Sequence, residues 1–156
     1  MAEATVELEV PARAEFVGLV RLLVSTLAAN RRVLADDRVD DLKLAVSEAA
    51  TNAVEAYGTA SSGQTVVIRW REEADRLAVS IIDRGGGFDP DRLPEHPPVT
   101  DAERLNFERG LGIPLIRALV DEAGFDSTGE GTTVSMVMFC GPREEPTQGV
   151  VDFSRN

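Results

Sequence analysis

The stretch DDLKLAVSEAATNAVEAYG, residues 40–58, has the period of an amphipathic helix. Leu42, Val46, Ala49 and Ala53, with Val39 just ahead of them, recur every three or four residues and form one apolar stripe. Asp36, Asp37, Asp40 and Asp41 crowd its start, where negative charge suits the positive end of the helix dipole. Gly58 supplies the stop, just after Tyr57. Glu48 and Asn52 lie one turn apart and off the apolar stripe, so both face a cleft or solvent.

Working outward from this helix, residues 5–10 (TVELEV) alternate, with Val6, Leu8 and Val10 on one face of a half-buried strand. Pro11 then opens a helical pattern through Phe16, Leu19, Val20, Leu23 and Leu27, which Asn30, Arg31 and Arg32 close. Downstream, 64–71 and 77–83 read as two strands of a hairpin turned at 72–76. Gly85, Gly86 and Gly87 follow, and then a proline-bearing stretch at about 90–109. A structureless segment of that length inside a compact domain is uncommon unless it is functional, which predicts a lid. The spacing predicts a third helix from about 111 to 122, ended by Gly124, then a turn at 129–131 and a last strand over 132–139. Residues 1–140 therefore read as one domain, and 141–156, rich in polar residues and proline, as a flexible tail.

Composition narrows the chemistry. With 43% hydrophobic and 28% charged residues, the 156-residue chain can bury a core. Sixteen basic residues against twenty-seven acidic leave a net charge of −11, which argues against a broad electrostatic grip on nucleic acid or anionic membrane. The single cysteine, Cys140, rules out an internal disulfide and a Cys-rich zinc site, and reads as a small apolar residue at a strand end. The single histidine, His96, lies among prolines without the helical hairpin that a phospho-accepting histidine needs. Lys43 is the only lysine, and no G-x4-G-K-[ST] run exists, so a P-loop is excluded. No apolar run approaches the ~18–20 residues of a membrane span, and the N-terminus lacks a signal pattern. The expectation is a cytoplasmic domain.

Four local features carry chemistry. Asn52 can give an amide oxygen to Mg²⁺, and Glu48, one turn away, can orient or deprotonate a nucleophile. An ordinary solvated polar face would look the same. In IIDRGGGFD (81–89), Asp83 ends an apolar strand, where its carboxylate can accept from an exocyclic amine such as adenine N6. Gly85 and Gly87 beside it would let backbone approach a flat ring, although a plain glycine turn fits too. In RGLGIPLIRALVDE (109–122), Gly110 and Gly112 sit at a helix start, whose free N–H groups hold phosphate oxygens without a lysine, and Arg109 can add a cation. In GTTVSM (131–136), the Thr132 hydroxyl can bond a phosphate or a water beside the base.

Each feature alone is weak, but their order is specific. LKLAVSEAATNAVEA (42–56), IIDRGGGFD, RGLGIPLIRALVDE and GTTVSM resemble the N box, G1 box, G2 box and closing Gly-Thr of the GHKL ATPase superfamily. More closely, they resemble its RsbW-type anti-sigma serine/threonine kinases, over nearly the whole chain as far as Phe139. The resemblance implies an α/β (α+β) two-layer sandwich of the Bergerat type, with a mixed, mainly antiparallel sheet and helices on one face. It implies ATP and Mg²⁺ as cofactors. By position, Asn52 matches the Mg²⁺-binding asparagine, Glu48 the base toward the acceptor hydroxyl, and Asp83 the adenine-reading aspartate with Gly85 and Gly87 beside it. Gly110 and Gly112 match the phosphate-side glycines, Thr132 the closing threonine, and Arg109 a neighbouring cationic contact.

The implied activity is sequestration of a sigma factor and phosphorylation of a Ser or Thr on an anti-anti-sigma (STAS-type) protein. The implied assembly is a homodimer, for which the alternating first strand offers an edge. Two alternatives stay open on sequence: a non-catalytic nucleotide-binding sequestering module, and a detached ATPase domain like those of histidine kinases.

Overall fold

Period-two alternation sets the sheet and decides which face the helices cover. The computed structural model describes residues 4–31, 34–58, 63–84 and 112–141. Its strands are β1 (Ala4–Pro11), β2 (Thr65–Glu72), β3 (Arg76–Asp83), β4 (Glu122–Thr128) and β5 (Gly131–Phe139). They form one five-stranded sheet in the order β1-β2-β3-β5-β4, and every neighbouring pair is antiparallel. The helices are α1 (Val17–Arg31), α2 (Asp36–Ala56) and α3 (112–119), with a single 3-10 turn at Ala14–Phe16. Val66, Ile68 and Trp70 of β2, Leu77, Val79 and Ile81 of β3, and Val134, Met136 and Met138 of β5 are buried. They pack in one core with Val20, Val24 and Ala28 of α1, Leu42, Val46 and Ala49 of α2, and Ile116 and Val120 from α3 and its end. This is the two-layer α/β arrangement expected. The expected lid at about 90–109, the tail from 142 on, Gly85, Gly87, Phe88, His96, Arg109 and Gly110 lie outside the described residues.

Two boundaries differ from the sequence reading. Pro11 does not open a helix. It closes β1 opposite Thr65, and Ala12 N–H carries the pairing one step further to Gln64 O at 2.9 Å. A proline at a strand end costs no ladder bond, since it has no N–H to offer. The helix itself begins six residues later, at Val17.

The larger correction concerns the third helix. It ends at 119, and Glu122–Thr128, read as the helix end and a loop, is the edge strand β4; Gly124 is a strand residue rather than a helix stop. Asp121 makes the break. Its N–H bonds Val137 O at 3.0 Å, while its Oδ2 accepts from Phe139 N at 2.7 Å and from Arg38 Nη2 at 2.6 Å. The chain is thereby pulled off the helix axis onto β5. Arg38 also donates to Leu119 O at 3.4 Å, so one guanidinium on the first turns of α2 ties down both the end of α3 and its carboxylate neighbour.

Gly58, with φ +57°, ends α2 in the left-handed conformation that glycine adopts most easily, as its position predicts. Cys140 follows β5 directly, consistent with its reading as a small strand-end residue. Among the described residues no helix is long and apolar enough to cross a membrane.

Gly131 opens β5 at φ +147°, and a Cβ there would collide with the carbonyl oxygen of Asp83. The ends of β3 and β5 approach so closely that only glycine fits. Gly131→Ala is expected to lower stability by on the order of 2–3 kcal/mol, read as a shift of the urea midpoint. An unchanged midpoint would show that the two strand ends can part freely.

Candidate functional site

The closeness of those strand ends places Asp83 and Thr132 side by side. They are register partners at the end of the sheet, and both are nearly buried on the face the helices cover. Next to them lies a cavity of about 150 Å³ between α2, the start of α3 and the sheet. α2 lines it with Ala49, Asn52, Ala53 and Ala56, α3 with Ile113, and the strands with Ile81, Asp83, Phe125, Thr132 and Val134.

The lining is apolar except for three polar side chains, those of Asn52, Asp83 and Thr132. Such a hollow suits a flat ring system with a few polar edges, because apolar walls supply affinity and a few fixed polar groups supply orientation. The floor is ordered in rows by strand register. Ile81, Val134 and Phe125 form an apolar row, and Asp83, Thr132 and Ser127 form the polar row beside it. Ser127 Oγ and Thr132 Oγ1 stand 3.2 Å apart and share a hydrogen bond.

At the other end of the hollow, the first turn of α3 meets α2. A Cβ on Gly112 would stand 3.1 Å from Asn52 Nδ2 and 3.3 Å from Glu48 Oε2. Gly112 is thus a cradle that a larger residue would crowd, and it brings the N-terminal end of α3 against both polar side chains of α2. Asn52 joins the two parts, since it lines the cavity and touches the α3 start. Glu48 does not line the cavity; it sits one turn back along α2, beside Gly112. Of the nine residues singled out by sequence, five are described, and these five fall at one end of the sheet around α2 and α3. Gly85, Gly87, Arg109 and Gly110 lie outside the described residues.

The donor set bears on what a metal would find here. Among the described residues no three His, Cys, Asp or Glu side chains converge to hold an ion unaided. One amide oxygen at the mouth of a pocket instead fits a cation such as Mg²⁺ that takes most of its ligands from phosphates and water.

Three features escaped the sequence reading. The cavity walls Ala49 and Ala53 look like core positions, and nothing in their spacing reveals that, among the described residues, a cavity lies in front of them. Phe125 was hidden with the strand that carries it. Tyr57 was read only as a helix end. Its buried hydroxyl donates to Thr65 O at 2.7 Å and accepts from Arg84 N–H at 2.6 Å. It thereby ties the end of α2 to the start of β2 and to the residue after Asp83.

Comparison with known proteins shows the family of the chain. Residues 10–138 match the family model described as the histidine kinase-like ATPase domain. The chain is similar to the serine-protein kinase RsbW of Bacillus velezensis, 40% identical over 139 residues, covering 86% of this chain and 84% of that one. The serine-protein kinase RsbW of Staphylococcus epidermidis is 37% identical over 138 residues, covering 86% of each. Among solved structures, the RsbU and RsbW domains of a Mycobacterium tuberculosis protein superpose with a TM-score of 0.64 at 22% identity, over 90% of this chain and 33% of that chain. This chain thus spans about a third of that two-domain structure. The mycobacterial sensor histidine kinase MprB superposes with a TM-score of 0.51 at 18% identity, over 91% of this chain and all of that one. At these identities the two structures speak for the fold alone.

Because the Tyr57 hydroxyl satisfies two backbone groups at the site, Tyr57→Phe is expected to cost about 1–2 kcal/mol of stability. Chemical denaturation measures it. Amide exchange at Arg84 should speed up at the same time, and unchanged protection there would show that the phenol does not hold this junction.

Proposed function

We propose that this chain, which belongs to the histidine kinase-like ATPase family and within it to the RsbW serine-protein kinases, binds Mg²⁺-ATP in the cavity between α2 and α3. With it the chain phosphorylates a serine or threonine of an anti-anti-sigma (STAS-type) protein, and in its other state it holds a sigma factor. The observation that carries the reading is the cavity itself. Its lining is apolar, a nearly buried carboxylate stands at one edge, and the N-terminal end of a helix lies at its mouth.

The residues divide the work as follows. The alanines of α2, with Ile81, Val134 and Ile113, take the faces of the purine. Asp83 accepts a hydrogen bond from its exocyclic amine, a contact that guanine, with a carbonyl there, would not make. The Thr132 hydroxyl, held by Ser127, bonds the ring edge directly or through a water. Backbone N–H groups at the start of α3 face the phosphates, which lets a chain with one lysine grip a triphosphate. Arg109, Gly110, Gly85 and Gly87 are assigned to the same phosphate and adenine contacts through their motifs. Asn52 would give its amide oxygen to Mg²⁺, whose charge, when bound, offsets repulsion between the phosphate oxygens and the incoming hydroxyl.

Glu48 stands beside this mouth and outside the base cavity, which is where an acceptor hydroxyl would arrive. It takes the hydroxyl proton as that oxygen bonds the γ-phosphorus and the bond to the bridging oxygen breaks, releasing ADP. The net charge of −11 suits protein partners that present a basic face, and it disfavours nucleic acid. The chain is placed in the cytoplasm, where sigma factors act. The homodimer would use the side of β1 turned away from β2, an edge of the sheet.

The decisive experiment is transfer of label from γ-labelled ATP to a serine of an anti-anti-sigma protein by the purified chain. No transfer to any such protein, with ATP bound, would leave only sequestration. Glu48→Gln is expected to keep nucleotide affinity within about twofold and to lose phosphotransfer by roughly 100-fold or more. Transfer at the parent rate would overturn the assignment of the base. Asp83→Asn is expected to weaken ATP and ADP alike by roughly tenfold or more, since the contact is to the base. Calorimetry with both nucleotides checks it, and a loss confined to ATP would place Asp83 at the phosphates instead.

A further inference from the structure

The cavity has a wall that none of the motif residues accounts for. Phe125 lies on β4, the outermost strand, and ends the apolar row that runs from Ile81 through Val134. The guanidinium carbon of Arg117, on α3, stands 5.2 Å from the centre of its ring. Among the described residues two other arginines stack on phenylalanines, Arg13 on Phe16 and Arg76 on Phe139, but neither of those rings lines the cavity. In a chain of net charge −11, carboxylates are plentiful, yet among the described residues the contact found for Arg117 is this ring. Stacking of a guanidinium over an aromatic face is favourable and directional, so it fixes the ring as well as covering it.

We infer that Phe125 is the specificity-determining wall of the nucleotide cavity, selecting a purine over a pyrimidine, and that Arg117 is the positioning residue that holds it. The inference rests on the nucleotide reading of the same cavity. The polar row reads the edge of the base, and the apolar row beside it lies against the ring. Three strands across, that row spans roughly 10 Å at ordinary strand spacing. Phe125 is its outer third. A one-ring base is held by the inner part of the row, while a fused two-ring base reaches the aromatic wall. The wall therefore contributes to purine binding and little to pyrimidine binding. Arg117 touches no ligand in this arrangement. It acts through the ring, and because it sits one turn after Ile113 it keeps the α3 and β4 walls in fixed relation.

The test is calorimetric titration of the full chain with ADP and with CDP, both with Mg²⁺, on the parent and five variants. The parent is expected to prefer ADP. Phe125→Ala should lose at least tenfold in ADP affinity while CDP changes by less than threefold, so the preference collapses. Phe125→Leu, which keeps most of the volume and guards against a folding defect, should lose threefold to tenfold for ADP. Arg117→Gln should cost about threefold in the parent and nothing in the Phe125→Leu background, where no aromatic face remains, whereas Arg117→Lys should restore most of the loss. In phosphotransfer, the KM for ATP should rise and kcat should hold within twofold, which a general structural defect would not produce. Equal losses for ADP and CDP, or no loss for either, would overturn the inference while leaving nucleotide binding intact. A parent that binds neither nucleotide would overturn the nucleotide reading itself.

Discussion

The site depends on a change of side-chain size along a single helix. In the first half of α2, Leu42 and Val46 reach the sheet and close the core with no exposure to solvent. In the second half the same stripe continues as Ala49, Ala53 and Ala56. Protein interiors are packed to crystal-like density, so a run of alanines opposite a sheet must be met by larger neighbours or leave a space. Here it leaves the space. Among the described residues the sheet side chains below are of ordinary size, and α3 contributes Ile113 to the wall of the gap. One helix thus closes the core at one end and opens a cavity at the other, and its polar side chains Glu48 and Asn52 flank the transition.

This constraint explains which parts of the molecule are legible in sequence. Strands β1, β2, β3 and β5 were readable because one face is covered by helices and the other is not, which imposes strict alternation. α2 was readable from its stripe, its aspartates and Gly58. β4 was not. Only Ala123 and Phe125 are half-buried among seven residues, Gly124 and Asp126 have poor strand propensity, and the helical spacing of Ile113, Ile116 and Val120 runs straight up to it. The bonds that decide the matter come from Arg38 and from β5, both remote in sequence. Pro11 misled for a related reason, because proline is equally at home at a helix start and at a strand end.

The site was legible to a different degree. Polar residues in an unusual setting stand out against their surroundings: a carboxylate ending an apolar strand at Asp83, or an acid and an amide one turn apart at Glu48 and Asn52. Apolar lining residues do not stand out, since an alanine facing a cavity and one facing a leucine are the same letter. The position of Glu48 outside the cavity lining was invisible too, for helical spacing places two residues on one face but does not say what packs against each. Gly112 supplies that information through its distance to both side chains.

Another set of ties lies away from the site. At the end where β2 stops and β5 finishes, the Trp70 indole donates to Glu72 at 3.0 Å in a buried contact, and Arg38 binds Asp121 beside Phe139 N. Met138 is the register partner of Leu77, which pairs with Glu72, so these contacts share one end of the sheet. Asp83, Thr132 and Gly131 occupy the opposite end. Stability concentrated at one end leaves the other with room for a cavity and for backbone held by single groups such as the Tyr57 hydroxyl and the bare α-carbon of Gly131. The two ends are joined by nine residues of β5 and by the length of α2, both rigid elements. That arrangement lets the cavity be shaped by small residues without weakening the frame, and it is the physical reason that one short domain can accommodate both a packed core and a pocket of this size.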